Sequence, residues 1–330
     1  MENFSSQEKL VDTYLKENKK EQAVELLFDL ITQYAEARHF DKAESLRERF
    51  FEIDSMALDE IVKSADIIEN AKMSAMDPAH TETWSHLYKK LTKEESVALY
   101  YGMQSAVYEA EQIIFRQGEI NASLYLINAG RVKLFYHKDN HAILLNTLGP
   151  GELVGGDTFF THSTCTASAM ADSKVKLNII TKTVLQKWQA DEPNLANKLQ
   201  DYCSGLKPIK DLLQKKELER RAHPRHNISG SAAIKILDNK GSKVYKVDLS
   251  DISVSGVSFI MNMSQTAADA LLGCRLNLKF RQRGAFSEIS IDHEGLIVGV
   301  HGQLFNEYYI NVKWEEPLDE GLIDRVKTVG

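Results

Sequence analysis

Arg221-Ala222-His223-Pro224-Arg225 and, some two dozen residues later, Asp251-Ile252-Ser253-Val254-Ser255-Gly256 are the stretches on which the reading of this chain turns. Two arginines stand on a short arm, and an Asp-x-Ser-x-x-Gly turn then lies between apolar runs. Such a set suits a guanine nucleotide. A guanidinium fork donates two parallel hydrogen bonds to guanine O6 and N7, clamps a phosphate, or stacks on a purine face. A carboxylate accepts from the N–H groups on the opposite edge of the base, a hydroxyl adds one bond, and a glycine lets backbone approach a flat ligand. Pro224 holds His223 toward an extended shape and stiffens the arm beside Arg225.

Around these residues the pattern is that of strands. Ala232 to Leu237 and Val244 to Leu249 flank Asp238-Asn239-Lys240-Gly241, a hairpin turn by composition. Val257 to Ile260, Leu276 to Phe280, Gly295 to Val300 and Tyr309 to Trp314 supply further strands, and the amphipathic segment Leu318 to Val326 closes the chain as a helix. The expectation is a small six-stranded β-barrel with a terminal helix. Arg-x-x-x-Arg followed by Asp-x-Ser-x-x-Gly in this setting resembles the PilZ family, receptors for the bacterial messenger cyclic di-GMP, over roughly residues 218–330. The resemblance implies a cyclic di-GMP site made of Arg220, Arg221, Arg225, Asp251, Ser253 and Gly256. In such relatives the residue before the motif, here Arg220, helps decide whether one dinucleotide or a stacked pair is held; an arginine is compatible with the pair, and the number stays open. His223 and His226 lack a third partner at metal-ligand spacing and read as incidental surface residues, so no metal is expected.

Upstream lies a second β-rich stretch. Ile113 to Glu119, Leu124 to Val132, Ile143 to Leu145 and Leu148-Gly149-Pro150-Gly151-Glu152 are short runs punctuated by glycines, as in a small barrel or jelly roll. The Gly118-Glu119 turn, Ile127-x-x-Gly130-x-Val132, Leu148-Gly149-Pro150-Gly151 and Cys165-Thr166-Ala167-Ser168 resemble the cyclic-nucleotide-binding domain of cAMP-receptor regulators and kinase regulatory subunits, over about residues 98–205. Ligand-binding members of that family hold the ribose with a glutamate after a short Phe-Gly and the cyclic phosphate with an arginine before a Thr/Ser-Ala pair. Here the loop reads Val154-Gly155-Gly156-Asp157, which puts Gly156 in the glutamate place, and Cys165 stands in the arginine place before Thr166. Each charge-assisted hydrogen bond is worth about 1.5–3 kcal/mol, so losing both lowers affinity by roughly a thousandfold or more. Asp157, one position along, would repel the phosphate. The pocket is therefore expected to be degenerate and not to take cAMP in the conventional way; a different ligand or a scaffolding role stays open. Cys165 reads as a buried, small apolar side chain.

Residues 1–97 read as helices: Val24, Leu27, Phe28 and Ile31 recur at helical spacing. Ala35 to Leu46, continuing to Asp54, resembles part of a tetratricopeptide repeat, which implies a hairpin that contacts a protein partner; a plain helical cap is the alternative. From Thr183 the chain returns to helix through Leu185, Trp188, Leu195, Leu199 and Tyr202 toward Leu212 and Leu213. Residues 206–219 are expected to link the jelly roll (98–205) to the PilZ-like domain (220–330). The fold class is thus multidomain α+β, with two or three separate cores.

Composition narrows the function. A net charge of -7 argues against sequence-independent nucleic-acid binding over the whole surface. Positive charge gathers instead at Lys207, Lys210, Lys215, Lys216 and the three arginines. Scattered Cys165, Cys203 and Cys274 fit a reducing cytoplasm. Neither a signal peptide nor a membrane span is expected from the N-terminal residues and the short apolar runs. No Gly-x-Ser-x-Gly, His-Glu-x-x-His or P-loop occurs, and Asp292-His293-Glu294 reads as a solvated strand edge, so an enzyme is not expected. No second recognition helix precedes the strands after Leu206, so direct DNA binding is not expected either. The resemblances imply a cytoplasmic bacterial receptor that binds cyclic di-GMP and needs no cofactor. It would signal to a protein partner through arm ordering and domain rearrangement, with a homodimer through the helix after the jelly roll left open. The alternative is a non-catalytic adaptor or transcription-related regulator that responds to a nucleotide in the jelly roll. Charge reversal at Arg221 or Arg225 is expected to abolish binding and leave the fold intact.

Overall fold

The computed structural model describes residues 2–53, 57–138, 141–206, 209–216, 223–238, 243–283, 288–302 and 307–327. Arg220 and Arg221 fall outside these. The chain divides into two units, Met1–Gln104 with Lys187–Lys198, and Ser105–Gln186 with Leu199–Gly330.

The first unit is helical: α1 (Glu2–Lys16), α2 (Lys20–Glu36), α3 (Phe40–Ile53), α4 (Leu58–Ser74), the short α5 (Pro78–Thr83) and α6 (Ser85–Tyr88), and α7 (Lys93–Gly102). The first four share a core that includes Val11, Leu27, Leu30, Ile31, Leu46, Phe50, Ile61 and Ile68. On α2 the buried residues are Ala23, Leu27, Leu30, Ile31, Tyr34 and Ala35, while Val24 and Phe28 are only half-buried. Start signals are explicit. Asp77 caps α5 with Pro78 at its first position, and Thr92 and Glu95 form a reciprocal capping box on α7. Glu95 is buried, and beyond its bond from Thr92 N (2.7 Å) it accepts from Lys198 Nζ at 2.7 Å.

The second unit begins with a jelly roll. Its strands are β1 (Gln104–Tyr108), β2 (Ile113–Phe115), β3 (Ser123–Ala129), β4 (Val132–Lys138), β5 (His141–Leu148), β6 (Leu153–Val154), β7 (His162–Ser163), β8 (Ser168–Ala171) and β9 (Val175–Thr181), with α8 (Gly156–Phe159) before β7. Two sheets form, β1-β9-β3-β6 and β2-β8-β4-β5, and close on Ile127, Val132, Leu134, Ala169, Val175 and Leu177. Helices α9 (Lys182–Asp191), α10 (Pro193–Ser204) and α11 (Ile209–Lys215) follow, and Leu213 of α11 is buried in the jelly-roll core.

The remaining strands are β10 (His226–Asn227), β11 (Ser231–Ile236), β12 (Val244–Ser253), β13 (Gly256–Asn262), β14 (Arg275–Arg283), β15 (Glu288–Gly302) and β16 (Glu307–Trp314). Helix α12 (Gln265–Asp269) lies between β13 and β14, and α13 (Glu320–Lys327) ends the chain. The order β12-β11-β14-β15-β16-β13, closed by pairing of β12 with β13, is a six-stranded barrel; β10 pairs with Asp251 and Ile252 of β12, beyond the stretch that β11 covers. Closure removes the sheet edges that six strands would otherwise leave. Leu249, Ile252, Val257, Phe259, Ile297, Val300, Ile310 and Val312 fill the interior, and Ile323 and Val326 of α13 pack on it. Asp292-His293-Glu294 lies inside β15, paired with β14, and is not at an edge.

Candidate ligand site

Two register shifts shape the outer face of the barrel. Leu249 and Ile252 are both interior residues although three apart, because β12 bulges between Leu249 and Asp251. The extra residue reverses the alternation, so Asp251 turns to the side opposite the core. On β15 a shift between Ile297 and Gly299 does the same, with Ile297 and Val300 inside and Gly299 outside. Between them, Ser258 alternates with core Val257 and Phe259, and Asn311 with core Ile310 and Val312. The Cα partners Asn227, Asp251, Ser258, Asn311 and Gly299 thus form one transverse row across five strands.

Arg225 lies over this row, just before β10. Its Nη1 donates to Asp251 Oδ1 (2.8 Å), Asn311 Oδ1 (3.1 Å) and Ser258 Oγ. Ser258 Oγ in turn donates to Asn311 Oδ1 at 3.0 Å. The hydroxyl of Tyr309, two residues along β16 on the same face, donates to Asp251 Oδ2. The pair is largely removed from solvent, with Arg225 and Asp251 side chains 19% and 11% exposed. Nε and Nη2 of Arg225 carry no bond to any described residue, so one edge of the fork is anchored and the other is unused.

The other motif residues hold the turn. Ser253 pairs with Gly256 in a hairpin whose two linking residues are Val254 and Ser255. Ser253 is buried and its hydroxyl donates to the carbonyl of Gly256 at 3.2 Å. A Cβ on Gly256 would stand 2.3 Å from the carbonyl oxygen of Val312 on β16, so the glycine is required by close strand approach.

Three findings revise the sequence reading. His223 is half-buried, with Nδ1 shielded and unpartnered among the described residues, and is not an incidental surface residue. From His226 the arm is already a strand on β12. Arg225 is part of a buried polar cluster, so reversing its charge would set two carboxylates together, and the fold would not be left intact. The sequence reading missed Ser258, Tyr309 and Asn311. Their signal was present as polar residues in the outward phase of strands whose alternate positions are apolar.

In the jelly roll, Gly155 has φ 90° and precedes α8; a Cβ there would meet Ser123 O at 2.7 Å and Asn121 Nδ2 at 2.8 Å. A Cβ on Gly156 would stand 3.1 Å from Leu153 Cδ1 and 3.6 Å from Cys203 Cβ of α10. The Leu153 contact is tight and the Cys203 contact is ordinary van der Waals packing. Asp157 is exposed, Thr166 is half-buried, and Cys165 is buried with its thiol pushed up to about 12 by burial and by the nearby Asp157 charge.

Comparison with known proteins agrees with both β modules. The model for the cyclic nucleotide-binding domain matches residues 106–191, and that for the PilZ domain matches residues 219–328. The chain carries both domains. Over 95 residues it is 37% identical to the cyclic AMP receptor protein of Thermus thermophilus, covering 28% of this chain and 44% of that one. Over 143 residues it is 26% identical to the CRP-like cAMP-activated global transcriptional regulator of Mycobacterium tuberculosis, covering 43% and 55%. The chain thus spans about half the length of these curated relatives. The solved catabolite activator protein of Thermus thermophilus aligns with 28% identity over 40% of this chain and 59% of that one, at a TM-score of 0.33.

Proposed function

We propose that this chain is a cyclic di-GMP receptor, with the dinucleotide held between the arginine arm and the outer row of the barrel. The observation that carries the reading is the half-used fork of Arg225. Nη1 is fixed by Asp251, Ser258 and Asn311, which leaves Nε and Nη2 as a preset pair of parallel donors for a guanine O6/N7 edge or a phosphate. An adaptor whose arginine served only the fold would be expected to engage the whole fork. Arg220 and Arg221 would supply the remaining cations, and Asp251 retains lone pairs for guanine N–H groups. Arg225 to Asn227 are already bonded to the barrel without ligand.

The jelly roll, in this proposal, does not take cAMP conventionally. Gly156 and Cys165 lack the two charged partners, and Leu153 crowds the place of one of them. Signal output to a protein partner falls to the helical unit, where Val24 and Phe28 of α2 and Ala57 line a groove rimmed by Lys20, Glu25, Glu60 and Lys63. Among the described residues no helix is long and apolar enough to cross a membrane.

Calorimetric titration of the full chain with cyclic di-GMP and, separately, with cAMP tests the reading. Saturable binding of the first, lost in Arg225→Ala, is the expected result. Absence of cyclic di-GMP binding would overturn it.

A further inference from the structure

β7 belongs to the jelly roll by sequence and to the barrel by hydrogen bonding. β14 begins at Arg275, opposite Leu296, so the side of β15 beyond Leu296 lacks a barrel strand. The jelly-roll segment takes that place: Ser163 pairs with Gly299, His162 with Val300, and Thr164 N donates to Val298 O at 3.0 Å. A second loop sits beside it. Ile120 bridges to Thr164, and its Cδ1 lies 2.7 Å from where a Cβ on Gly273 would be, which only a glycine at φ +81° admits.

This pairing lengthens the row under Arg225 by one strand. The Cα partners now run Ser163, Gly299, Asn311, Ser258, Asp251 and Asn227. Only two residues separate Arg225 from β7. Asn311 accepts from Nη1, and the Nδ2 of the same side chain lies 3.2 Å from the Cβ position of Gly299, beside Nε2 of His301 at 3.1 Å, so both side chains rest against the glycine backbone. On its other side β7 continues the loop from Gly155 to Cys165, in which Gly156 packs on Cys203 of α10.

We propose that β7 is the transmission element of the receptor: occupation of the Arg225 fork is felt through Asn311 and Gly299 as a change in the β7–β15 pairing, and passes from there into the jelly-roll loop. The inference rests on the dinucleotide reading above. A ligand that competes for Asp251 or Asn311, or that draws Arg225 toward itself, changes what presses on Gly299. By linkage the relation is reciprocal: whatever frees β7 must change dinucleotide binding by the same factor, weakening it where the ligand tightens the pairing and strengthening it where the ligand loosens it. The loop that holds a phosphate in relatives here holds a neighbouring domain.

Amide hydrogen exchange of the full chain, with and without saturating cyclic di-GMP confirmed by calorimetry, is the test. The expected result is a several-fold change in exchange at residues 162–165. Thr164→Pro, which removes the donor to Val298 O, is expected to shift cyclic di-GMP affinity by roughly 5- to 150-fold, the usual range of such couplings, downward if the ligand slows exchange at 162–165 and upward if it speeds it. Confirmed binding with unchanged exchange at 162–165 overturns this inference and leaves the receptor reading standing. Absence of binding overturns both. The exchange measurement uses the unmodified protein, so it decides the question even where Thr164→Pro does not fold.

Discussion

Tyr309 donates its hydroxyl to Asp251 Oδ2, the carboxylate oxygen that Arg225 leaves unused. Asp251 is therefore held from β16 and from the arm at once, and its orientation is set before any ligand arrives. Tyr309→Phe removes one donor and leaves a buried oxygen short of a partner. Such losses cost about 1–3 kcal/mol. Urea denaturation should show a lower midpoint with an unchanged slope.

Arg225→Ala should cost more. It strands the Asp251 carboxylate, which is 11% exposed, without its cation. Breaking a buried pair from one side typically costs about 3–5 kcal/mol. Arg225→Lys should recover part of this stability and little of the cyclic di-GMP affinity, because an ammonium cannot present two parallel donors while it serves Asp251, Ser258 and Asn311. Unfolding curves and calorimetry on the same three proteins separate the two effects.

Restoring the family's charged pair should not restore cAMP binding. In Gly156→Glu/Cys165→Arg, the new glutamate meets Leu153 and Cys203 at its first carbon. The expected titration with cAMP is flat. Adding Leu153→Ala relieves the tighter of the two contacts, so a gain confined to that triple variant would identify Leu153 as the plug.

Alkaline pH should destabilise the second unit. Burial pushes the thiols of Cys165 and Cys203 up to about 12, against an ordinary value of 9.0. Above pH 9 the unfolded chain releases these protons while the folded chain keeps them, so the unfolded state binds fewer protons and stability falls as pH rises toward 12. Below pH 9 the contribution is constant. Denaturant midpoints at pH 7, 9 and 10.5 should be level between the first two and lower at the third. Cys165→Ala should reduce the drop.

Gly256→Ala should damage the barrel through backbone crowding, without removing any side chain of the proposed site. Its methyl group would stand 2.3 Å from a backbone oxygen of β16, and strand separation is the only relief. A cost of about 1–3 kcal/mol or more is expected, read as a lower thermal midpoint.

Much of the architecture was legible because alternation and turn residues agree locally. The Ser253–Gly256 hairpin follows from an Asp-x-Ser-x-x-Gly turn between apolar runs, and α13 from the spacing of Leu318, Ile323 and Val326. Part of what escaped the reading depends on single inserted residues. The bulges after Leu249 and after Ile297 reverse which side chains face outward, and a period of two cannot carry a pattern across such a break. Asp251 was recognised from its motif; Ser258, Tyr309 and Asn311 lie on regularly alternating strands, but only the closing of the barrel brings them beneath Arg225. β15, expected from Gly295 to Val300, runs from Glu288 to Gly302. β7 is two residues long, and nothing local in Thr161-His162-Ser163-Thr164 distinguishes a strand that borrows its partner from a distant domain.

The seat that His162 to Thr164 take on β15 bears on how such chains diversify. Severed from what precedes it, the barrel would bare the backbone amides and carbonyls at the far end of that strand, a template for whatever extended peptide came by. A lineage that shed its front modules, or exchanged them, would have to patch the gap or aggregate. The two β modules are therefore expected to be inherited together, as one evolutionary piece.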